Sequence, residues 1–157
     1  MVRAVGPADA PAMAALINPI IAKGGTTAYE DPLDAAYFEA RIEALAPPFT
    51  GHVALAGGRL VGFQFCEPHS ELPPDMGDMA TFAALDATRG VGSALFAATR
   101  TAAEAGGLRA LQAYVRADNE GGLAYYEKAG FRTERIDPAV PLKDETPVDR
   151  VAKVLIL

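Results

Sequence analysis

The chain has 157 residues, half of them hydrophobic, which suits one domain (1–157) with a real core and leaves two domains cramped. Lys and Arg number 14 against 20 Asp and Glu, and the net charge of -6 repels a nucleic-acid backbone, so no nucleic-acid partner is expected. No apolar run reaches the ~20 residues that span a bilayer, and residues 1–7 lack a signal-peptide layout, which points to a cytoplasmic protein with no membrane partner.

A short strand over Val2 to Val5 comes first. Asp9 then stands as an N-cap before Met13, Leu16, Ile17 and Ile20 at helical spacing, and Pro19 is expected to kink or end that helix. Gly24-Gly25-Thr26-Thr27 reads as a loop. Asp34 is a second N-cap before the Phe38, Ile42 and Leu45 face, with Pro47-Pro48 as its stop. Val53 and Leu55, then Val61, Phe63 and Phe65, alternate around Gly57-Gly58 as a hairpin.

A Pro-containing loop, Glu71 to Gly77, leads into a strand over Met79 to Ala84. Val91, Ala94, Leu95, Ala98 and Ala102 predict a helix face that Gly106-Gly107 ends. A strand follows over Leu111 to Val115, a helix over Asn119 to Ala129, then strands over Phe131 to Ile136 and Val151 to Leu157. The order predicts a mixed α/β sheet, antiparallel early, with a strand-helix-strand crossover in the middle. Cys66 is the only cysteine and reads as packing, and His52 and His69 lack metal-ligand spacing, so neither a disulfide nor a metal is expected.

Residues 82–95 run from a strand through Arg89-Gly90-Val91-Gly92-Ser93 into a helix. Glycines there let a ligand approach the backbone, and the first N–H groups of the helix favour phosphate oxygens. The same glycines also suit a plain tight turn. No Gly-Lys-Ser/Thr ending is present, and Leu95 fills the place of a third dinucleotide-fold glycine, so neither nucleotide loop fits.

The stretch Leu111 to Asn119, with Gly122, Tyr125-Tyr126, Lys128 and Gly130-Phe131 behind it, is similar to the motif N-x-x-x-x-x-[FY]-Y-x-K-x-G-F of the GNAT superfamily of N-acetyltransferases. The glycine turn sits where that family carries its Q/R-x-x-G-x-G/A loop, although the leading Gln or Arg falls on Ala87. The resemblance covers essentially the whole chain and leans loosely toward phosphinothricin-type acetyltransferases, through Thr26, Thr27, Tyr29 and Glu30. It implies an α/β (α+β) fold: a mostly antiparallel sheet of six to seven strands, a central parallel splayed pair and about four helices.

It also implies acetyl-CoA as co-substrate and direct transfer of its acetyl group to a small-molecule amine. The cofactor-binding residues it marks are Phe82, Ala83, Ala84, Thr88, Arg89, Gly90, Val91, Gly92, Ser93, Asn119 and Tyr126, with a bulge near Phe82 and Ala83 freeing strand N–H groups. Tyr126 is the expected general acid, and Asp78 and Glu30 are the candidate bases, ahead of His69 and Glu67. Glu30, Asp31, Glu67, Glu71, Asp75 and Asp78 fall in segments expected around the acceptor, which would suit a cation or simply keep the protein soluble. A non-catalytic acetyl-CoA sensor or scaffold and a protein or peptide N-acetyltransferase are the competing readings. A homodimer through the C-terminal strands is the quaternary state such families suggest.

Overall fold

A computed structural model describes residues 1–157. The elements are β1 (Val2–Ala4), α1 (Ala10–Lys23), α2 (Ala35–Glu43), β2 (Thr50–Ala56), β3 (Arg59–Glu67), β4 (Met76–Ala83), α3 (Val91–Ala105), β5 (Ala110–Arg116), α4 (Glu120–Lys128), β6 (Arg132–Pro141) and β7 (Pro147–Ile156). The seven strands form one sheet in the order β1-β2-β3-β4-β5-β7-β6, antiparallel except where β4 and β5 run parallel. That is the expected fold class, with the crossover supplied by α3. No helix is long and apolar enough to cross a membrane.

Helices α1 and α2 cover one face over a core that includes Met13, Ile17, Phe38, Phe63 and Phe65. The other face packs Phe96, Leu111, Ala113, Tyr126 and Phe131 around Cys66 and Met79. Cys66 is buried against Gly77, where an added Cβ would run into its Sγ, and burial pushes its thiol up to about 12. A thiol held protonated in a core is a packing group, as its sequence setting suggests.

Three local expectations change. Pro19 does not end α1: Ile20 and Ile21 are buried, so packing holds the last turn despite the missing N–H, and Gly24 at φ 75° closes the helix. Asp9 precedes α1 but does not cap it, because its carboxylate accepts from the Gly6 N–H (2.8 Å) and from Arg3 (2.8 Å). The buried stripe of α3 is Leu95, Phe96, Thr99 and Ala103, and Ala94 is exposed. A helix with alanines on every side leaves its face to be set by Phe96 and Thr99, whose hydroxyl lies 3.0 Å from His52 Nδ1. Asp34 does cap α2, accepting from the Tyr37 N–H at 2.9 Å.

Candidate active site

β4 and β5 are paired from Met76↔Ala110 to Met79↔Ala113 and no further. Beyond that point β4 stays with β3 up to Gly62↔Ala83, and β5 stays with β7 up to Arg116↔Arg150. Each strand keeps its outer partner while the inner seam opens. The Ala84 N–H donates to Val61 O at 2.9 Å, which fixes the alternation along β4. Phe82 and Ala80 therefore turn their N–H groups to β3, and Thr81 and Ala83 turn theirs toward the seam. The β3–β4 register carries no shift, so no bulge frees these groups; divergence of the two strands does.

A cavity of about 640 Å³ occupies this opening. Its lining includes Asp78 and Thr81 to Leu85 on β4 and just after it, Thr88, Gly90, Val91 and Gly92 at the glycine turn, and Asn119 and Tyr126 across the seam. Of the expected site residues, Arg89 and Ser93 are exposed beside the turn, and neither they nor Glu30 line the cavity. Glu30 instead accepts from the Lys143 N–H, in the β6–β7 turn, at 2.9 and 3.2 Å.

Gly90 sits at φ 97°, a left-handed conformation that only glycine adopts cheaply, and it starts α3 with no side-chain cap. The first intrahelical bond runs from the Ala94 N–H to Gly90 O, which leaves the N–H groups of Val91, Gly92 and Ser93 without helical partners. Gly62 lets this turn lie close on the sheet, since a Cβ there would stand 2.6 Å from Val91 Cγ1. Gly92 has a second duty: a Cβ would meet the Tyr125 ring at 2.7 Å, and the Tyr125 hydroxyl donates to Gly92 O at 2.8 Å. Positive dipole and unpaired donors thus face one end of the cavity.

Tyr126 is the one buried residue of α4. Its ring packs edge-on against Tyr125 and Phe131, and its hydroxyl lies 2.8 Å from Thr81 Oγ1. Thr81 Oγ1 already accepts from Gln64 Nε2 at 2.7 Å, and the same amide nitrogen donates to the Tyr125 hydroxyl at 3.2 Å. Burial pushes the Tyr126 phenol well above its usual range, partly offset by Thr81, so it stays protonated at neutral pH. Thr81 and Gln64 were not singled out from sequence, because the pairing Gln64↔Thr81 brings together residues 17 positions apart in chain.

Asn119 caps α4: Oδ1 accepts from the Gly122 N–H at 2.9 Å while Nδ2 donates to Thr26 O at 3.1 Å. Arg116 NH1 reaches Thr27 O at 3.3 Å, so the loop between α1 and α2 is tied across the seam. On that face Asp78 is half-buried, with Gln112 Nε2 at 3.4 Å. Burial raises its carboxyl above the ordinary carboxylate range, opposed by Gln112 and by the nearby His69 and Arg41 charges. Of the six acidic residues expected around the acceptor, only Asp78 lines the cavity. Glu67 is held by Arg41, Asp75 by Arg109 and Asp31 by Lys143.

The comparisons agree with this geometry. A GCN5-related N-acetyltransferase from Kribbella flavida is 26% identical over 100% of this chain and 97% of its own, with a TM-score of 0.85. A phosphinothricin acetyltransferase from Sinorhizobium meliloti, solved with acetyl-CoA, superposes at TM-score 0.90 with 18% identity, covering 100% of this chain and 88% of that one. A ribosomal-protein-alanine N-acetyltransferase from Brucella melitensis gives 0.88 with 22% identity, over 100% and 99%. No curated protein matches the sequence. The sequence model of the acetyltransferase (GNAT) family matches residues 17–131, most of the chain and the whole of the seam, glycine turn and tyrosine helix just described: the chain belongs to that family.

Proposed function

We propose that the protein transfers the acetyl group of acetyl-CoA to the amine of a small molecule, directly and in a ternary complex. The observation that carries this reading is the pairing of two features in one cavity: unpartnered N–H groups at the start of α3, and the Tyr126 hydroxyl at the parted strands. The first suits the diphosphate of coenzyme A, and the relative from Sinorhizobium meliloti was solved with acetyl-CoA. The seam-facing N–H groups of Thr81 and Ala83 suit the pantetheine amide and the thioester carbonyl, whose oxygen gains charge as the amine attacks.

In this reading the neutral amine adds to the thioester carbon. The tetrahedral intermediate then collapses with cleavage of the C–S bond, and the departing thiolate takes a proton from Tyr126. The nitrogen loses its extra proton toward Asp78, directly or through water. Because the phenol is held above its usual range, the phenolate is a costly product, and Tyr126 must regain its proton before the next turnover. Asp78 suits the base better than Glu30, since it lines the cavity and its raised carboxyl has some affinity for a proton. Asn119 holds the helix start, and Gly122 leaves room for that cap.

A homodimer through β6 belongs to the same reading, supported by an edge strand exposed along nearly all its length. The test of the transfer reading is release of CoA thiol from acetyl-CoA across a panel of amino acids, polyamines, aminoglycosides and short peptides. Amine-dependent release is expected, with a rising acid limb in its pH profile that Asp78→Asn abolishes. Binding of acetyl-CoA without release for any amine would make the protein a sensor instead.

A further inference from the structure

Gln64 is fully buried on β3, and its amide is used from one side only. Nε2 donates to Thr81 Oγ1 at 2.7 Å and to the Tyr125 hydroxyl at 3.2 Å, while Oε1 has no partner. A buried acceptor left unpaired costs stability, so a neighbouring group must hold the amide this way round. That group is Gly92 O. A carbonyl can only accept, so the single hydroxyl proton of Tyr125 goes to it at 2.8 Å, and the Tyr125 oxygen is left to accept from Gln64. Turned over, the amide would set Oε1 against a hydroxyl with no proton to give.

The polarity passes on to Thr81. Its Oγ1 accepts from Gln64, and the other partner of that hydroxyl is the Tyr126 hydroxyl, 2.8 Å away. A hydroxyl that accepts on one side is the better donor on the other, and Gln64 N–H, Thr81 O–H and the Tyr126 oxygen then align head to tail. In the reverse arrangement Thr81 would accept twice, and its own proton would have no partner in the chain. Resting on the transfer reading, we propose that Gln64 and Thr81 are positioning residues for the acid: they make Thr81 the donor to the Tyr126 oxygen, so that the phenolic proton is turned to the cavity instead of being locked into the network. When the thiolate leaves, the phenolic O–H bond breaks and the S–H bond forms. The electron pair left on Tyr126 is held by the Thr81 O–H, which stays intact. The Thr81 contact draws the phenol down against the upward push of burial, as a donor to the ionised form does. Because the run of bonds starts at Gly92 O, the glycine turn and the acid are built as one unit.

Two measurements test this. The first needs no cofactor: the tyrosine Fermi doublet in the ultraviolet resonance Raman spectrum of the whole chain, taken as the difference between a protein and its Tyr126→Phe counterpart, reports whether that phenol accepts or donates. Wild type is expected to show an acceptor, and Thr81→Val a phenol that has lost its donor. The second is the kinetics of thiol release. Thr81→Val and Gln64→Met are expected to lower kcat about 10-fold to 10²-fold, the worth of a hydrogen bond to a charged oxygen, with KM for acetyl-CoA kept within about twofold, and Thr81→Ser to recover most of the loss. A wild-type phenol that donates, a Raman difference indifferent to Thr81→Val, an unchanged kcat in Thr81→Val, or a loss that Thr81→Ser does not recover overturns the proposal. Should Gln64→Met not fold, the two Thr81 variants and the Raman difference decide. If no amine elicits thiol release, the transfer reading fails, and the Raman difference still decides which way the network points.

Discussion

The seam between β4 and β5 has two halves built from the same two strands. In the first, Met76 to Met79 pair with Ala110 to Ala113, and Cys66, Met79, Leu108 and Leu111 fill the space beside them. In the second, Ala80 to Ala83 and Tyr114 to Arg116 part, and the space is lined by backbone, Thr81, Tyr126 and an arginine. The contrast shows how a sheet makes a site without a bulge: each strand stays bonded on its outer side, so opening the inner side costs only the seam. Stability belongs to the closed half, and chemistry to the open one.

Substitutions in the two halves should separate accordingly. The largest effect is expected from Tyr126→Phe, which removes the proposed acid of the open half: turnover should fall about 10²-fold or more, while calorimetric acetyl-CoA affinity stays. Equal turnover would take Tyr126 out of the mechanism. Leu111→Ala belongs to the closed half, where the side chain is fully buried, and denaturant unfolding should show a loss of about 2–5 kcal/mol with acetyl-CoA affinity retained. A loss of affinity without a loss of stability would merge the halves.

Gly92→Ala lies where the glycine turn meets Tyr125. Its Cβ must displace the Tyr125 ring, so a cost of about 1–3 kcal/mol in unfolding and weaker acetyl-CoA binding are both expected. Asp78→Asn should give the smallest change in stability, and of opposite sign. The folded carboxyl titrates above its ordinary range, so ionising it disfavours the fold as pH rises through that raised value and costs nothing below the ordinary one. The variant should therefore melt slightly higher than wild type at neutral pH, with the difference vanishing in acid.

Much of this was legible in the sequence, for local reasons. Gly57-Gly58, Gly90 and Gly130 all have positive φ, and the motif from Asn119 to Phe131 forms one helix with its cap. Local glycine chemistry also located the glycine turn, whereas Tyr126 stood out only through the resemblance to the GNAT motif. What was not legible depends on which residues meet across strands. Gln64, Thr81 and Tyr126 form one network from three elements, and Arg116 faces Arg150 over a separation of 34 positions, which no spacing rule connects. Likewise the six acidic residues expected around the acceptor suit a cation or plain solubility equally well by sequence, and only the structure shows Glu67, Asp75 and Asp31 paired with Arg41, Arg109 and Lys143.

Acetyl transfer as proposed depends on the start of α3 holding the diphosphate of coenzyme A. Isothermal titration with acetyl-CoA, followed by a crystal structure of the complex, tests it most directly. One site per chain is expected, with phosphate oxygens on the N–H groups of Val91, Gly92 and Ser93 and the thioester sulfur beside the Tyr126 hydroxyl. A titration without heat, or a cofactor bound away from that turn, would contradict it.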